Sequence, residues 1–177
     1  SQFKHPGGWS ADGRLLAFSE LDPGTGFDLW IVPTDGSGAP TLYLRTPFQE
    51  QFPFASPDGR WLIYNSNESG RSEAYVQSFP TPGSKAQVSN DGAGLPVWAR
   101  DGKRLFFVAP DQSLMAAEVT PGTALRASAP AKFFRFPRPV SDYDITRDGK
   151  RLYATMSASD AAGRSIGVIL DWEAAGK

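Results

Sequence analysis

Four Asp-Gly dipeptides, each followed by a basic residue, recur at nearly constant spacing and constrain the fold more than any other feature. Their aspartates are Asp12, Asp58, Asp101 and Asp148, which lie 46, 43 and 47 residues apart. A leucine follows each aspartate by four positions, at Leu16, Leu62, Leu105 and Leu152. Because turn and leucine keep the same register in all four copies, the sequence contains an internal repeat.

Each repeat predicts four short antiparallel strands. One strand leads into the Asp-Gly turn and a second leaves it, because Asp bonds to backbone amides two residues on and Gly accepts a positive φ. Third strands are predicted at 28–32, 73–77, 114–119 and 166–170, and fourth strands at 41–44, 85–89 and 132–135. No window carries an apolar stripe of helical period. The sequence therefore predicts an all-β fold, a β-propeller of four-stranded antiparallel blades.

The 177 residues predict a single β-propeller region of about four blades, at approximately 7–44, 52–89, 95–135 and 142–172. The fourth blade lacks room for an outer strand at either end, since Ser1 stands 11 residues before Asp12 and only seven residues follow Leu170. We therefore expect the sequence to be the C-terminal part of a longer propeller. A four-bladed ring with an imperfect seam is one alternative, and a homo-oligomer that closes a larger ring through the open blade edge is another.

The repeat units have a recognisable motif, seen best in residues 54–64 (FASPDGRWLIY) and 9–14 (WSADGR). They resemble the TolB-type, WD-like propeller repeat of bacteria, which centres on Ser-Pro-Asp-Gly-Lys/Arg followed by an apolar strand. Arg100 and Arg147 stand where that repeat usually has proline.

A narrower resemblance involves residues 65–80 and 166–172. These segments are similar to the propeller that lies C-terminal to many bacterial membrane-anchored serine/threonine kinases. The resemblance implies an extracytoplasmic sensor or docking domain, periplasmic or at the cell surface. The sequence has no kinase signature of its own, neither a Gly-rich loop nor a His-Arg-Asp motif.

Composition excludes several classes of function. Lys and Arg number 18 against 19 Asp and Glu, so we expect no nucleic-acid partner, which would require a cationic surplus. There is no Cys and only one His, His5, which excludes thiolate chemistry and paired-histidine metal motifs. No apolar run approaches 18 residues, so we expect no direct membrane insertion of this segment.

Two motifs raise the question of catalysis or metal binding. Residues 163–167 match the Gly-x-Ser-x-Gly nucleophile elbow, but the elbow needs a later histidine, and the only His lies far upstream. We interpret this segment as a polar loop that enters a strand. Asp142, Asp144 and Asp148 form the best oxygen cluster. Their spacing does not fit an EF-hand, and we interpret them as turn and loop residues, with calcium as the alternative. The sequence thus predicts no enzyme, no metal and no cofactor.

The predicted topology places the loops between second and third strands, and the links between blades, on one face of the propeller. Loops on a rigid scaffold often carry recognition. The candidates for binding a partner or ligand are Glu50, Asn67, Glu68, Arg71, Asp91, Arg138 and Asp142. We expect a non-catalytic module that binds a protein, a peptide or a small ligand. The alternative is an accessory gating propeller of a serine peptidase or other hydrolase.

Overall fold

Each Asp-Gly repeat corresponds to one antiparallel sheet. The computed structural model of the chain describes residues 3–120, 125–146 and 151–156, together with the backbone of 165–170. Every regular element in these ranges is a β-strand. This agrees with the predicted all-β class, and we refer to the four sheets as blades 1 to 4.

The strands are as follows. Blade 1 contains β1 (Lys4–Trp9), β2 (Leu15–Asp22), β3 (Gly26–Pro33) and β4 (Thr41–Leu44), paired in chain order. Blade 2 contains β5 (Gln51–Ala55), β6 (Trp61–Ser66), β7 (Glu73–Ser78) and β8 (Lys85–Gln87), paired in the same way. Blade 3 contains β9 (Gly94–Trp98), β10 (Arg104–Val108), β11 (Ser113–Thr120), β12 (Arg126–Ala127) and β13 (Ala131–Arg135). Blade 4 contains β14 (Val140–Ile145), β15 (Arg151–Met156) and β16 (Ser165–Leu170).

The Asp-Gly turns close the hairpins as the sequence predicts. Ser56 Oγ donates to Asp58 Oδ1 at 2.6 Å and accepts from the Trp61 amide at 3.0 Å. Gly59 takes a φ of 71°, in the left-handed region that favours glycine. Ser10 and Asp12 repeat this arrangement in blade 1. The fourth turn, with Asp148, lies outside the described residues.

Two details of the strands differ from the prediction. β8 ends at Gln87 rather than at residue 89, because the Ser89 hydroxyl, and not a backbone carbonyl, accepts the Ala74 amide. Blade 3 has an additional short strand, β12, which pairs with the end of β11 beyond the part that pairs with β13. The strand is only two residues long, so it has no periodicity that a sequence pattern could show.

The core lies between neighbouring blades, not within them. Alternate residues of β6 point to opposite sides. Leu62 and Tyr64 pack with residues of blade 1, whereas Trp61 and Ile63 pack with residues of blade 3. A third cluster joins blades 3 and 4. This two-sided burial explains why the second strand of each repeat is almost continuously apolar.

The first strand of each blade lies at a sheet edge, hydrogen-bonded to one neighbouring strand only. β1 contacts β5, β5 contacts β9, and β9 contacts β14, so these edges gather around a common axis. β5 and β9 each begin with an irregular register. There Phe52 and Leu95 take φ values of 55° and 50°, a left-handed conformation that is costly for such residues. The bulges end regular pairing where the strands reach the loop face, which is the end of the blades that holds the β2–β3, β6–β7 and β10–β11 loops.

Candidate functional site

The first strands enclose a central cavity of about 620 Å³. Its lining comes from all four blades and includes residues 7–11, 54–57, 97–98, 100 and 142–144. Trp9 is 58% exposed. Arg100 Nη2 lies 3.1 Å from Asp144 Oδ2. The cavity therefore combines apolar walls with a solvent-accessible ion pair.

Two further cavities adjoin each other on the loop face. The first, about 380 Å³, lies between blades 2 and 3, and its lining includes Arg71, Leu95, Pro110 and Val140. The second, about 350 Å³, is formed by residues 135–139. Gln112 lines both cavities, so they lie side by side and can be treated together as two halves of one groove. We call this the Gln112 groove.

Gln112 forms hydrogen bonds that connect the two sides of the groove. It is not among the site residues that the sequence predicts. It occupies a β-turn with a φ of 66°, and its Oε1 accepts the Val140 amide at 3.1 Å. The Phe136 amide donates to the Gln112 carbonyl at 2.9 Å. The β10–β11 turn is thus bonded to the link between blades 3 and 4. The sequence shows only a glutamine in a polar turn, so no local signal marks this role.

Three predicted site residues lie on blade 2 and take part in local bonding. The Asn67 carboxamide oxygen accepts the Gln49 amide at 2.9 Å. Glu68 receives both of its side-chain hydrogen bonds from Lys85 Nζ, at 2.6 and 2.7 Å. Arg71 Nε donates to Glu73 Oε1 at 2.8 Å, and Arg71 also reaches the Asn90 carbonyl.

The remaining predicted site residues lie in separate parts of the structure. Asp91 is almost fully exposed, with Oδ1 3.5 Å from Arg71 Nη2. Arg138 lines the Gln112 groove. Asp142 lies within β14, where it lines the central cavity instead of extending from a loop. The predicted set therefore divides between the loop face and the central cavity, and does not form one cluster.

Glu50 is buried, at 1% exposure, and is not displayed on the loop face. Its amide donates to the Phe27 carbonyl, which folds the link between blades 1 and 2 inward. Thr46 Oγ1 and Ser66 Oγ donate to Glu50 Oε1 at 2.6 and 3.2 Å, whereas Oε2 is buried without a hydrogen-bond partner in the described residues. Burial raises the pKa of Glu50 above its ordinary value, although the two hydroxyl bonds oppose this shift.

This raised pKa predicts a pH-dependent stability difference between the wild type and Glu50→Gln. Ionisation of Glu50 costs more in the folded state than in the unfolded state. The cost is absent below the unfolded pKa, about 4.3, and grows as the pH rises through the folded pKa. Thermal midpoints measured from about pH 4 to 7 should therefore fall for the wild type relative to Glu50→Gln. Glu118→Gln, at an exposed site, is the control. A difference that does not change with pH contradicts the prediction.

Two sequence motifs concern catalysis and metal binding. Residues 163 and 164 and the Ser165 side chain lie outside the described part of the chain, so the nucleophile-elbow match has no structural test. Within the described ranges, no three His, Cys, Asp or Glu side chains converge to hold a metal ion. The same ranges contain no helix with the length and apolarity to cross a membrane.

No protein-family model matches the chain. The uncharacterized protein Atu1656 of Agrobacterium fabrum is 28% identical over 107 residues, which cover 59% of this chain and 35% of that protein. The chain thus spans about a third of the length of this curated relative.

Comparisons of structure identify the fold. TolB from Acinetobacter baumannii has a TM-score of 0.71 and 16% identity, covering 96% of this chain and 41% of that protein. A putative TolB from Agrobacterium tumefaciens has a TM-score of 0.57 and 21% identity, covering 75% and 50%. An oligogalacturonate lyase in complex with manganese has a TM-score of 0.66 and 12% identity, covering 98% and 51%.

The chain therefore has a β-propeller fold. More particularly, it is similar in fold to the TolB propellers, which agrees with the resemblance of its Asp-Gly repeat. It spans about half or less of the length of these three proteins. At these identities the likeness concerns the fold alone. The narrower resemblance to kinase-linked propellers stays a prediction.

Proposed function

We propose that this chain is a non-catalytic β-propeller module that binds a protein or peptide through its loop face. The observation that carries this proposal is the Gln112 groove, whose apolar lining opens on that face beside exposed charged side chains. Concave apolar sites with a few fixed polar groups are typical of ligand binding. Buried core clusters pack against both faces of blade 3, so the strands that carry the groove are rigid.

We further propose that the binding module serves as an extracytoplasmic sensor or docking domain of a bacterial serine/threonine kinase. The support for this role is the sequence resemblance of residues 65–80 and 166–172 to kinase-linked propellers. The kinase itself would lie elsewhere in the gene product. Sequencing of the surrounding gene tests this assignment, because a kinase domain and a membrane helix are expected upstream, whereas a hydrolase domain would favour the peptidase-gating role.

A random twelve-residue peptide library, displayed on phage and selected on the immobilised chain, tests the binding function. We expect enriched peptides whose binding falls at least tenfold when Asn67 and Arg138 are replaced together by alanine. The matched control replaces Arg14 and Lys103, exposed cations in Asp-Gly turns at the opposite end of the blades. Failure to enrich any peptide, or equal losses in the loop-face variant and the control, contradicts the proposal.

A further inference from the structure

We propose that the Gln112 groove recognises an acidic peptide that also carries apolar side chains. Its acidic residues would lie at Arg135 and Arg138, and its apolar residues would enter the adjoining cavity beside Leu95 and Val140. This inference rests on the proposed binding function and specifies the chemistry of the partner.

The half of the groove between blades 2 and 3 is suited to apolar side chains. Leu95, Val108, Pro110 and Val140 all contribute to its lining. The one charged residue among the lining residues described is Arg71. Its guanidinium is already bonded to the buried Glu73 carboxylate at 2.8 Å, and that carboxylate balances its charge. Transfer of an apolar side chain into this half would remove apolar surface from water, which favours binding.

The other half is cationic. Its two charged lining residues are Arg135 and Arg138. Arg135 Nε donates to the Asp111 backbone carbonyl at 3.2 Å, and its charge also interacts with the Asp111 carboxylate. Arg138 makes no ion pair with any described residue. The neighbouring Asp111 carboxylate lies 3.7 Å from Lys132, so Lys132 and Arg135 share a single carboxylate. Arginine forks bind carboxylates in bidentate geometry, which matches aspartate or glutamate side chains.

The backbone around Arg138 is held before any ligand arrives. Pro137 and Pro139 flank Arg138, and each fixes its own φ near −65°. Phe136 is buried and packs against Phe134 and Tyr143, with ring centroids 5.3 and 6.1 Å apart respectively. Because the segment is already ordered, less conformational entropy is lost when it binds a partner.

A peptide fits these observations better than a nucleic acid does. The cationic surplus is confined to one end of the groove, and the whole chain has a net charge of −1. Nucleic acids need cations spread along the phosphate backbone, whereas the apolar half of this groove offers none that is free. A short chain with a few carboxylates and apolar side chains matches both halves.

The phage selection described above gives the test, with the sequences of the enriched peptides as an additional readout. We expect enriched peptides of net negative charge with two or more large apolar residues. The most enriched peptide, labelled with fluorescein, is then titrated by fluorescence anisotropy against the wild type, Arg138→Glu and Lys103→Glu. Lys103→Glu makes the same change of charge at the opposite end of the blades. Arg138→Glu is expected to weaken binding at least tenfold at 20 mM NaCl, and Lys103→Glu less than twofold.

Added salt provides a second measurement. Binding by the wild type should weaken between 20 and 300 mM NaCl, and Arg138→Glu should lose most of this dependence. Enriched peptides that are neutral or basic, or that bind Arg138→Glu and Lys103→Glu equally, overturn this inference while leaving the proposed binding function intact. A selection that enriches no peptide overturns both.

Discussion

Gly7→Ala is expected to lower the free energy of unfolding by about 3 kcal/mol or more, because β1 and β5 approach too closely to accept a side chain. A Cβ at this position would clash with the Pro53 carbonyl oxygen and would lie 2.8 Å from the Ala17 carbonyl oxygen. Both atoms belong to the backbone, so neither can rotate away as a side chain would. The strands would have to separate, and packing between blades 1 and 2 would be lost.

The matched control for this prediction is Gly38→Ala. Gly38 is exposed, its φ lies outside the left-handed region, and an added Cβ would meet only the Pro33 side chain at 3.4 Å, an ordinary contact. Chemical denaturation followed by tryptophan fluorescence measures both variants. We expect a change within about 0.5 kcal/mol for Gly38→Ala. Equal loss of stability in the two variants would show that Gly7 has no special packing role.

The fold was predictable because its repeating turn is a local feature. Ser56, Asp58 and Gly59 form their hydrogen bonds within a few residues, so the chemistry of the turn is visible in the sequence. The apolar second strand is equally visible, and its two-sided burial follows from its position between blades. The importance of Gly7 was not visible, since a close approach between β1 and β5 depends on tertiary packing.

The candidate site was less predictable, because exposure depends on the path of each link. Glu50 stands in a polar link, yet the bond from its amide to Phe27 draws it inside. Asp142 follows two prolines and a valine, which suggested a loop, but β14 has already begun at Val140. Gln112 lies between two cavities and accepts a hydrogen bond from the amide of Val140, 28 positions away, which no local pattern reveals.

Glu73→Ala is expected to reduce the free energy of unfolding by about 2–3 kcal/mol, because it removes a buried carboxylate that several donors share. Glu73 is 1% exposed and begins β7. Its carboxylate accepts from Arg71 Nε at 2.8 Å and from the Gly92 amide at 2.9 Å, and it also accepts from Ser89 Oγ. Alanine would leave the buried Gly92 amide without its partner. The link from blade 2 to blade 3 would then lose an anchor.

Asp91→Ala separates this effect from the loss of an arginine ion pair. Asp91 and Glu73 both interact with Arg71, but the Asp91 side chain is 99% exposed and lies 3.5 Å from Arg71 Nη2. An exposed pair of this kind contributes about 0–1 kcal/mol, so Asp91→Ala should leave the unfolding midpoint nearly unchanged. If both variants lose similar stability, the arginine pairs dominate and the Gly92 and Ser89 bonds contribute little. A large loss for Glu73→Ala alone would show that the buried carboxylate stabilises the link beside the Gln112 groove.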